Sequence, residues 1–390
     1  MPAAVRSRDS VTRPRHSCKS PRMSAGSIPS LSSPNSRLTS LVSHLSNGRP
    51  KVVICRDLGP AMPLLMERTD IEVVLWPEDR GCDRAWLLKN IKGAAGALVL
   101  LPDPINEEVL QAAGPDLRVI STMSVGYEHI DLPLMAQRNI RVGYTPDVLT
   151  EAVADLCVML ALMASRNDGV AYTLVKEGNW PKYAWSPFTF CGPQISTMVS
   201  SPTRTVGFLG FGRIAQSTLT RLVAFGVTHC IYSGSATSAP NPARDAALQA
   251  KHKLAALERV DLDRLAGESD VLFVLTPGGK DTYHLVDAAF LQKMKPMSVL
   301  VNASRGTVVD SDALATALRE KWIWGAGLDV VEGEPKINGD HPLVREPKCV
   351  MVPHIASATF ETRMAMATRA IENLLGGVFG TEMPAELGDR

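Results

Sequence analysis

Several features that commonly reveal a protein's partner are missing from this sequence. There is no excess of charge of one sign: 41 Lys and Arg face 40 Asp and Glu, for a formal net charge of +1. A chain so balanced presents no field for a polyanion, so nucleic acid is not an expected partner. Long apolar runs are missing too. The longest strongly apolar stretch, LCVMLALMA at 156–164, falls far short of the ~20 residues that cross a bilayer, and it reads as a buried helix. No membrane partner is expected. The seven cysteines (Cys18, Cys55, Cys82, Cys157, Cys191, Cys230 and Cys349) lie far apart, with no C-x-x-C. An odd, scattered set argues against a disulfide framework and against a zinc site, so no metal is expected and a reducing compartment is the simplest reading.

Acid is nearly absent from the first 50 residues, where eight Lys/Arg and many serines stand beside Asp9 alone. Such a segment cannot bury enough apolar surface to offset its chain entropy, and residues 1–50 are expected to be disordered. Their composition is also that of a mitochondrial transit peptide. The alternatives are a dispensable tail, or an upstream start codon with Met23 as the later one. No secretion signal is visible, so the expected location is cytoplasmic or mitochondrial.

What is present is a globular composition, 45% apolar and 21% charged, and a clear alternation of elements. Short β-branched runs recur from Lys51 onward: KVVIC (51–55), EVVL (72–75), ALVLL (97–101), RVIS (118–121) and IRV (140–142). Continuous runs of this kind suit strands buried on both faces of a parallel sheet, with helices between them. A helix pattern over 148–165 and a Trp/Pro-rich loop, NWPKYAWSPF, separate these from a second series. That series comprises TVGFLG (205–210), CIYS (230–233), VLFVL (271–275), SVLVN (298–302), GAGLDV (325–330) and CVMV (349–352), with a last helix over 360–376. The fold class is therefore α/β, with two successive doubly wound parallel-sheet domains.

The second series opens on TVGFLGFGRIAQ, a strand running into glycines and then into a helix. Gly210 and Gly212 can take backbone angles closed to other residues, and they let a pyrophosphate approach the helix N-terminus, where the amides of Arg213 and Ile214 are free. Ala215 replaces the third glycine and is small enough for close helix–strand packing. The next strand ends at Ser233, where an NAD site would carry an acid to grip the adenosine ribose. A carboxylate there would repel the 2′-phosphate of NADP; Ser233, Gly234 and Ser235 instead offer small donors, and Arg244 lies further along. The preferred cofactor is NADP, with NAD retained as the alternative.

VGFLGFGRIAQ, VNASRGTVVD, GAGLDVVEGEP and VPHIASAT stand in the order of the D-2-hydroxyacid dehydrogenases, which this sequence resembles over roughly 51–387. VISTMSVGYEHIDL and RVGYTPDVLTEAVADL tighten the resemblance towards the glyoxylate/hydroxypyruvate reductase branch. The resemblance implies an NAD(P)-binding Rossmann domain (151–355) inserted into a discontinuous substrate domain (51–150, completed by 356–390). It implies a catalytic trio of Arg305, Glu334 and His354. In it Arg305 binds the carboxylate of a small 2-oxo acid, His354 is the general acid, and Glu334 steadies the charged ring and raises its pKa. Glu332 competes with Glu334, which is preferred because it directly precedes Pro335. The amides of Val125 and Gly126 would also meet the substrate carboxylate. Thr150, Thr276, Pro277, Ala303 and Asp329 would line the cofactor site, and Trp185 would reach into the site of a neighbouring subunit. A homodimer is implied, with the 148–165 helix and its loop at the contact, or else packed into the chain's own core. Departures from the family pattern are few: Ala215, Asp155 for the usual Glu, and Lys336 after Glu-Pro. Two other readings remain at this stage: a non-enzymatic NAD(P)H-sensing protein of the corepressor type, or another 2-hydroxyacid dehydrogenase such as phosphoglycerate dehydrogenase.

Overall fold

The computed structural model describes residues 48–197, 203–235 and 238–388; of the extension expected to be disordered over 1–50, residues 1–47 lie outside the described residues, whereas Pro50 is buried and its carbonyl accepts the Glu72 amide at 3.0 Å. Residues 49–390 form one compact unit that carries two sheets. The first holds β1 (Lys51–Ile54), β2 (Glu72–Leu75), β3 (Gly96–Val99), β4 (Val119–Thr122) and β5 (Arg141–Gly143), in the order β2-β1-β3-β4-β5. The second holds β6 (Thr205–Leu209), β7 (His229–Ser233), β8 (Ala256–Arg259), β9 (Val271–Val274), β10 (Val299–Asn302), β11 (Gly325–Leu328) and β12 (Cys349–Met351). Its order is β12-β11-β10-β9-β6-β7-β8. Every pairing in both sheets is parallel.

Most of the runs chosen for their β-branched residues are buried strands, as their hydrophobicity requires, although EVVL forms β2, an edge strand with no buried position. β3, β4, β9 and β10 are buried at every position. β8, ALER, carries no such run because it is an edge strand and mostly half-exposed, and sequence reading passed over it.

The chain leaves the first sheet, builds the second, and returns. The returning helix, Phe360–Phe379, packs Ala367, Ala370, Ile371, Leu374 and Val378 against residues of β1, β3 and β4. Its approach is close enough that a Cβ on Gly377 would lie 2.3 Å from that of Val119. Ser121 donates to the Ala370 carbonyl at 2.7 Å, and Asn373 donates to the Tyr144 carbonyl at 2.9 Å.

The helix Thr150–Ser165 lies on the second sheet and buries Val153, Cys157, Leu160, Ala161 and Ala164 there. Gly325 and Gly327 make this possible: side chains on them would come within 2.9 Å of the Ala164 carbonyl and 2.8 Å of the Leu160 Cβ. Of the two roles expected for this helix, its inner face serves the chain's own core. The following helix, Asp168–Lys176, buries no residue at all.

Candidate functional site

Strand order in the larger sheet reverses between β6 and β9, which opens a crevice at the carboxyl ends of those strands. The glycine turn forms one wall. Gly210 sits at φ +89°, and a Cβ on it would lie 2.8 Å from the Thr276 backbone, so no side chain fits. Gly212 differs: a Cβ there would meet nothing within 4 Å. It is the N-cap of the helix Arg213–Val223, which no side chain caps. The amides of Arg213 and Ile214 therefore face open space at the positive end of a helix, a setting suited to a pyrophosphate. Ala215 is fully buried. The Arg213 guanidinium pairs with Asp147, which ties the turn to the segment leading into Thr150, the first residue of its helix. Thr276 and Pro277, after β9, and Ala303, after β10, complete this wall.

No carboxylate stands at the end of β7. The Ser233 carbonyl accepts the Gly210 amide at 2.8 Å and its side chain is buried, while Ser235 is exposed. Arg244 covers the stacked rings of Phe211 and Tyr232, 5.1 Å from each centroid. Much of its charge is engaged by Asp245 at 2.6 Å. A second arginine, Arg259, donates to the carbonyls of Ser235 and Ser238 at 3.0 and 2.8 Å. It ends the edge strand that the hydrophobic pattern did not reveal.

After β12, His354 adopts φ +53°, a left-handed conformation that costs a non-glycine residue about 1 kcal/mol. Asp329 secures it. The His354 amide donates to the Asp329 carbonyl at 2.9 Å, and the Asp329 carboxylate accepts the amides of Ile355 and Ala356 at 2.7 and 3.2 Å. Burial raises the Asp329 pKa, against the pull of those amides and of His354. Nδ1 of His354 lies 2.9 Å from Oε1 of Glu334, which leaves Nε2 directed away from the carboxylate. Glu332 points elsewhere, to His284 Nε2 at 2.8 Å, so of the two acids Glu334 is the one that meets His354.

Arg305 follows β10. Its carbonyl is held by the Asn302 side chain at 3.0 Å, and its Nη1 donates to the Ser304 carbonyl at 2.7 Å. The guanidinium reaches across to the loop after β4, in the other sheet. A Cβ on Gly126 would lie 1.5 Å from Arg305 Nη2, so only glycine admits the arginine there. Nη2 also meets Glu128 Oε2 at 3.2 Å. Among the described residues, no backbone carbonyl accepts from the amides of Val125 or Gly126. The loop is held from behind: Ser124 donates to the Gly126 carbonyl at 2.6 Å, and the Thr122 hydroxyl joins Ser124 at 2.7 Å to His129 Nε2 at 3.0 Å. Burial, with Arg305 adding to it against the pull of Glu128, lowers the His129 pKa to about 4. Its ring is neutral at pH 7.

The structure thus brings Arg305 to Gly126, and Glu334 and Asp329 to His354. Trp185 is not brought into this chain's own cluster; it stands 78% exposed on the loop after Trp180–Lys182, with Phe188 at 87%. Sequence reading missed Glu128, Asp147 and Arg259, whose partners lie far away along the chain. Only the position of Glu128, two residues after Gly126, could have drawn attention to it.

The model of the D-isomer specific 2-hydroxyacid dehydrogenase NAD binding domain matches residues 158–356. The chain is 42% identical over 326 residues to the glyoxylate reductase/hydroxypyruvate reductase of Homo sapiens, covering 83% of this chain and 93% of that one. With the glyoxylate reductase of Thermofilum pendens it shares 40% identity over 345 residues, 87% of this chain and 94% of the relative. It also resembles the crystal structure of an NADPH-dependent glyoxylate/hydroxypyruvate reductase from Sinorhizobium meliloti in complex with NADP and malonate. There the TM-score is 0.71 at 30% identity, over 87% of this chain and 97% of that one.

Proposed function

The chain belongs to the D-isomer specific 2-hydroxyacid dehydrogenase family, and we propose that it reduces glyoxylate and hydroxypyruvate to their 2-hydroxy acids with NADPH. The observation that carries this reading is the His354–Glu334 pair at 2.9 Å, with Arg305 seated on Gly126 beside two amides that have no backbone acceptor among the described residues. A 2-oxo acid needs such a set: a cationic fork and amides for its carboxylate, and an acid for its carbonyl oxygen.

In this reading Arg305 binds the substrate carboxylate through its planar fork and draws electron density from the adjoining carbonyl. Val125 and Gly126 donate their amides to the same carboxylate. Glu334 holds Nδ1 of His354 and stabilises the imidazolium, so Nε2 can give its proton to the carbonyl oxygen as it becomes an alkoxide. Asp329 fixes the backbone that aims the ring. A nicotinamide cofactor, when bound, would supply the hydride. The turn at Gly210 and Gly212 would hold its pyrophosphate, with Thr150, Thr276, Pro277 and Ala303 along the crevice.

Two features support NADPH over NADH. The end of β7 carries Ser233 instead of an acid, and the related Sinorhizobium meliloti enzyme is described as NADPH-dependent. A homodimer is supported by the helix Asp168–Lys176, which buries nothing, and by the exposed Trp180, Trp185 and Phe188 beyond it. The test is oxidation of NADPH and NADH, followed in parallel with glyoxylate, hydroxypyruvate and pyruvate. Faster NADPH oxidation with the first two is expected; no oxidation with any of the three would overturn the reading.

A further inference from the structure

Arg305 already faces a carboxylate. Glu128 Oε2 lies 3.2 Å from its Nη2, reaching it from the loop that also presents the Val125 and Gly126 amides. The contact is single-pronged. Nη1 is turned to the Ser304 carbonyl, so Glu128 engages one corner of the fork and leaves the rest of it exposed. The glutamate side chain is 39% exposed and the arginine 27%, so both are reached by water. Arg305 and Glu128 carry opposite charges, and His129 beside them is neutral at pH 7, so before substrate enters the pair itself has no net charge.

We propose that Glu128, by its ion pair with Arg305, sets the charge selectivity of the substrate site, favouring 2-oxo acids with one negative charge over those with two. The proposal rests on the reading of Arg305 as the anchor of the substrate carboxylate. A fixed charge repels each negative charge of a ligand according to its distance, so what Glu128 costs a monoanion it costs a compact dianion, with both charges about equally near, twice over in free energy. At a separation of about 5 Å in a water-like dielectric, the penalty is roughly fourfold in affinity for each negative charge on the ligand. Discrimination by a repulsive element is a common way to reject a near-isosteric competitor. Glyoxylate and hydroxypyruvate, both monoanions, fall on the accepted side, and 2-oxo dicarboxylates on the rejected side.

Oxamate and oxalate test this directly, because they match in shape and differ by one charge. Their dissociation constants are measured by calorimetry on protein saturated with NADPH, for wild type, Glu128→Gln and Glu128→Asp. In Glu128→Gln, oxamate is expected to bind about fourfold tighter and oxalate about fifteenfold tighter, so that the ratio moves about fourfold towards the dianion. Glu128→Asp keeps the charge and should keep the wild-type ratio. An unchanged ratio in Glu128→Gln, or an equal weakening of both ligands, would overturn the proposal and leave Glu128 as a brace for Arg305. Arg305→Lys, measured alongside, should weaken both ligands. Unchanged binding there would remove the anchor and the proposal with it, whereas the turnover of glyoxylate by wild type is a separate readout of the proposed activity.

Discussion

At His354 the backbone is strained and the side chain is held by a single carboxylate at 2.9 Å, so its replacement separates chemistry from binding. In His354→Ala the cofactor crevice is untouched, because the glycine turn and the walls after β9 and β10 make no use of the ring. We expect kcat to fall about 10² to 10⁴-fold, the usual range for a positioned proton donor, while NADPH titrated by fluorescence binds as before. Turnover near that of wild type would remove His354 from the chemistry. Ser233 offers the matching test for the cofactor. A carboxylate in Ser233→Asp would lie within a few ångströms of a 2′-phosphate bearing nearly two negative charges, and it would offer NADH's ribose two acceptors instead. That repulsion amounts to about 1–3 kcal/mol, or roughly five- to 150-fold in relative affinity. The kcat/KM ratio of the two cofactors, at one ionic strength and with one substrate, should swing towards NADH; a fixed ratio would discard the reading of the missing acid.

Between residue and domain, the loop after β4 is the element on which the site depends, and it carries its own pH dependence. His129 backs this loop through Thr122 and Ser124, and burial lowers its pKa from the ordinary 6.5 to about 4. A histidine depressed on folding contributes stability that is full above pH 6.5 and is lost as pH falls through about 4. The size of that contribution is about 3 kcal/mol at most, from the shift alone. His129→Gln, which keeps a hydrogen-bonding group without the titration, should flatten the loss of Tm between pH 6.5 and 4 while other acid-sensitive pairs, such as Glu386–Arg141, still respond. An identical pH profile in the variant would show that the ring does not carry it. Elements of this kind divide sharply in how far sequence exposes them. Buried strands such as VLFV and VLVN could be read because a parallel sheet covered on both faces demands unbroken apolar residues. The glycine turn could be read because its spacing repeats a backbone requirement. By contrast, β8 was hidden by its exposure at the sheet edge. The Glu128–Arg305 contact joins residues 177 positions apart, and Asp147–Arg213 likewise bridges separate segments, so neither leaves a local pattern in the chain. Gly126 was named for its amide, yet its tightest constraint is the arginine lying on it, which only the folded chain displays.

On the scale of the whole molecule, the exposed segment 168–190 calls for a partner. Tyr172, Val175, Trp180, Trp185 and Phe188 are all more than half exposed, a density of large apolar side chains that monomers rarely leave to water. The preceding helix, by contrast, is occupied with its own sheet. If a second copy covers this face, a side chain from one protomer can enter the site of the other, and Trp185 is the residue the family resemblance names for it. A dimer predicts complementation. Trp185→Ala protomers lack the tryptophan but keep His354; His354→Ala protomers keep the tryptophan but lack the acid. Each homodimer should be impaired. After mixing and exchange, the heterodimer holds one site with both His354 and the partner's tryptophan, so activity should rise above the sum of the two parents, towards a ceiling of about a quarter of wild type for statistical exchange with inactive parents. Sedimentation velocity on the same samples reports whether the subunits associate at all. A monomer of 42.1 kDa at micromolar concentration would exclude the dimer, and a dimer that shows no complementation after proven exchange would place Trp185 outside the neighbouring site.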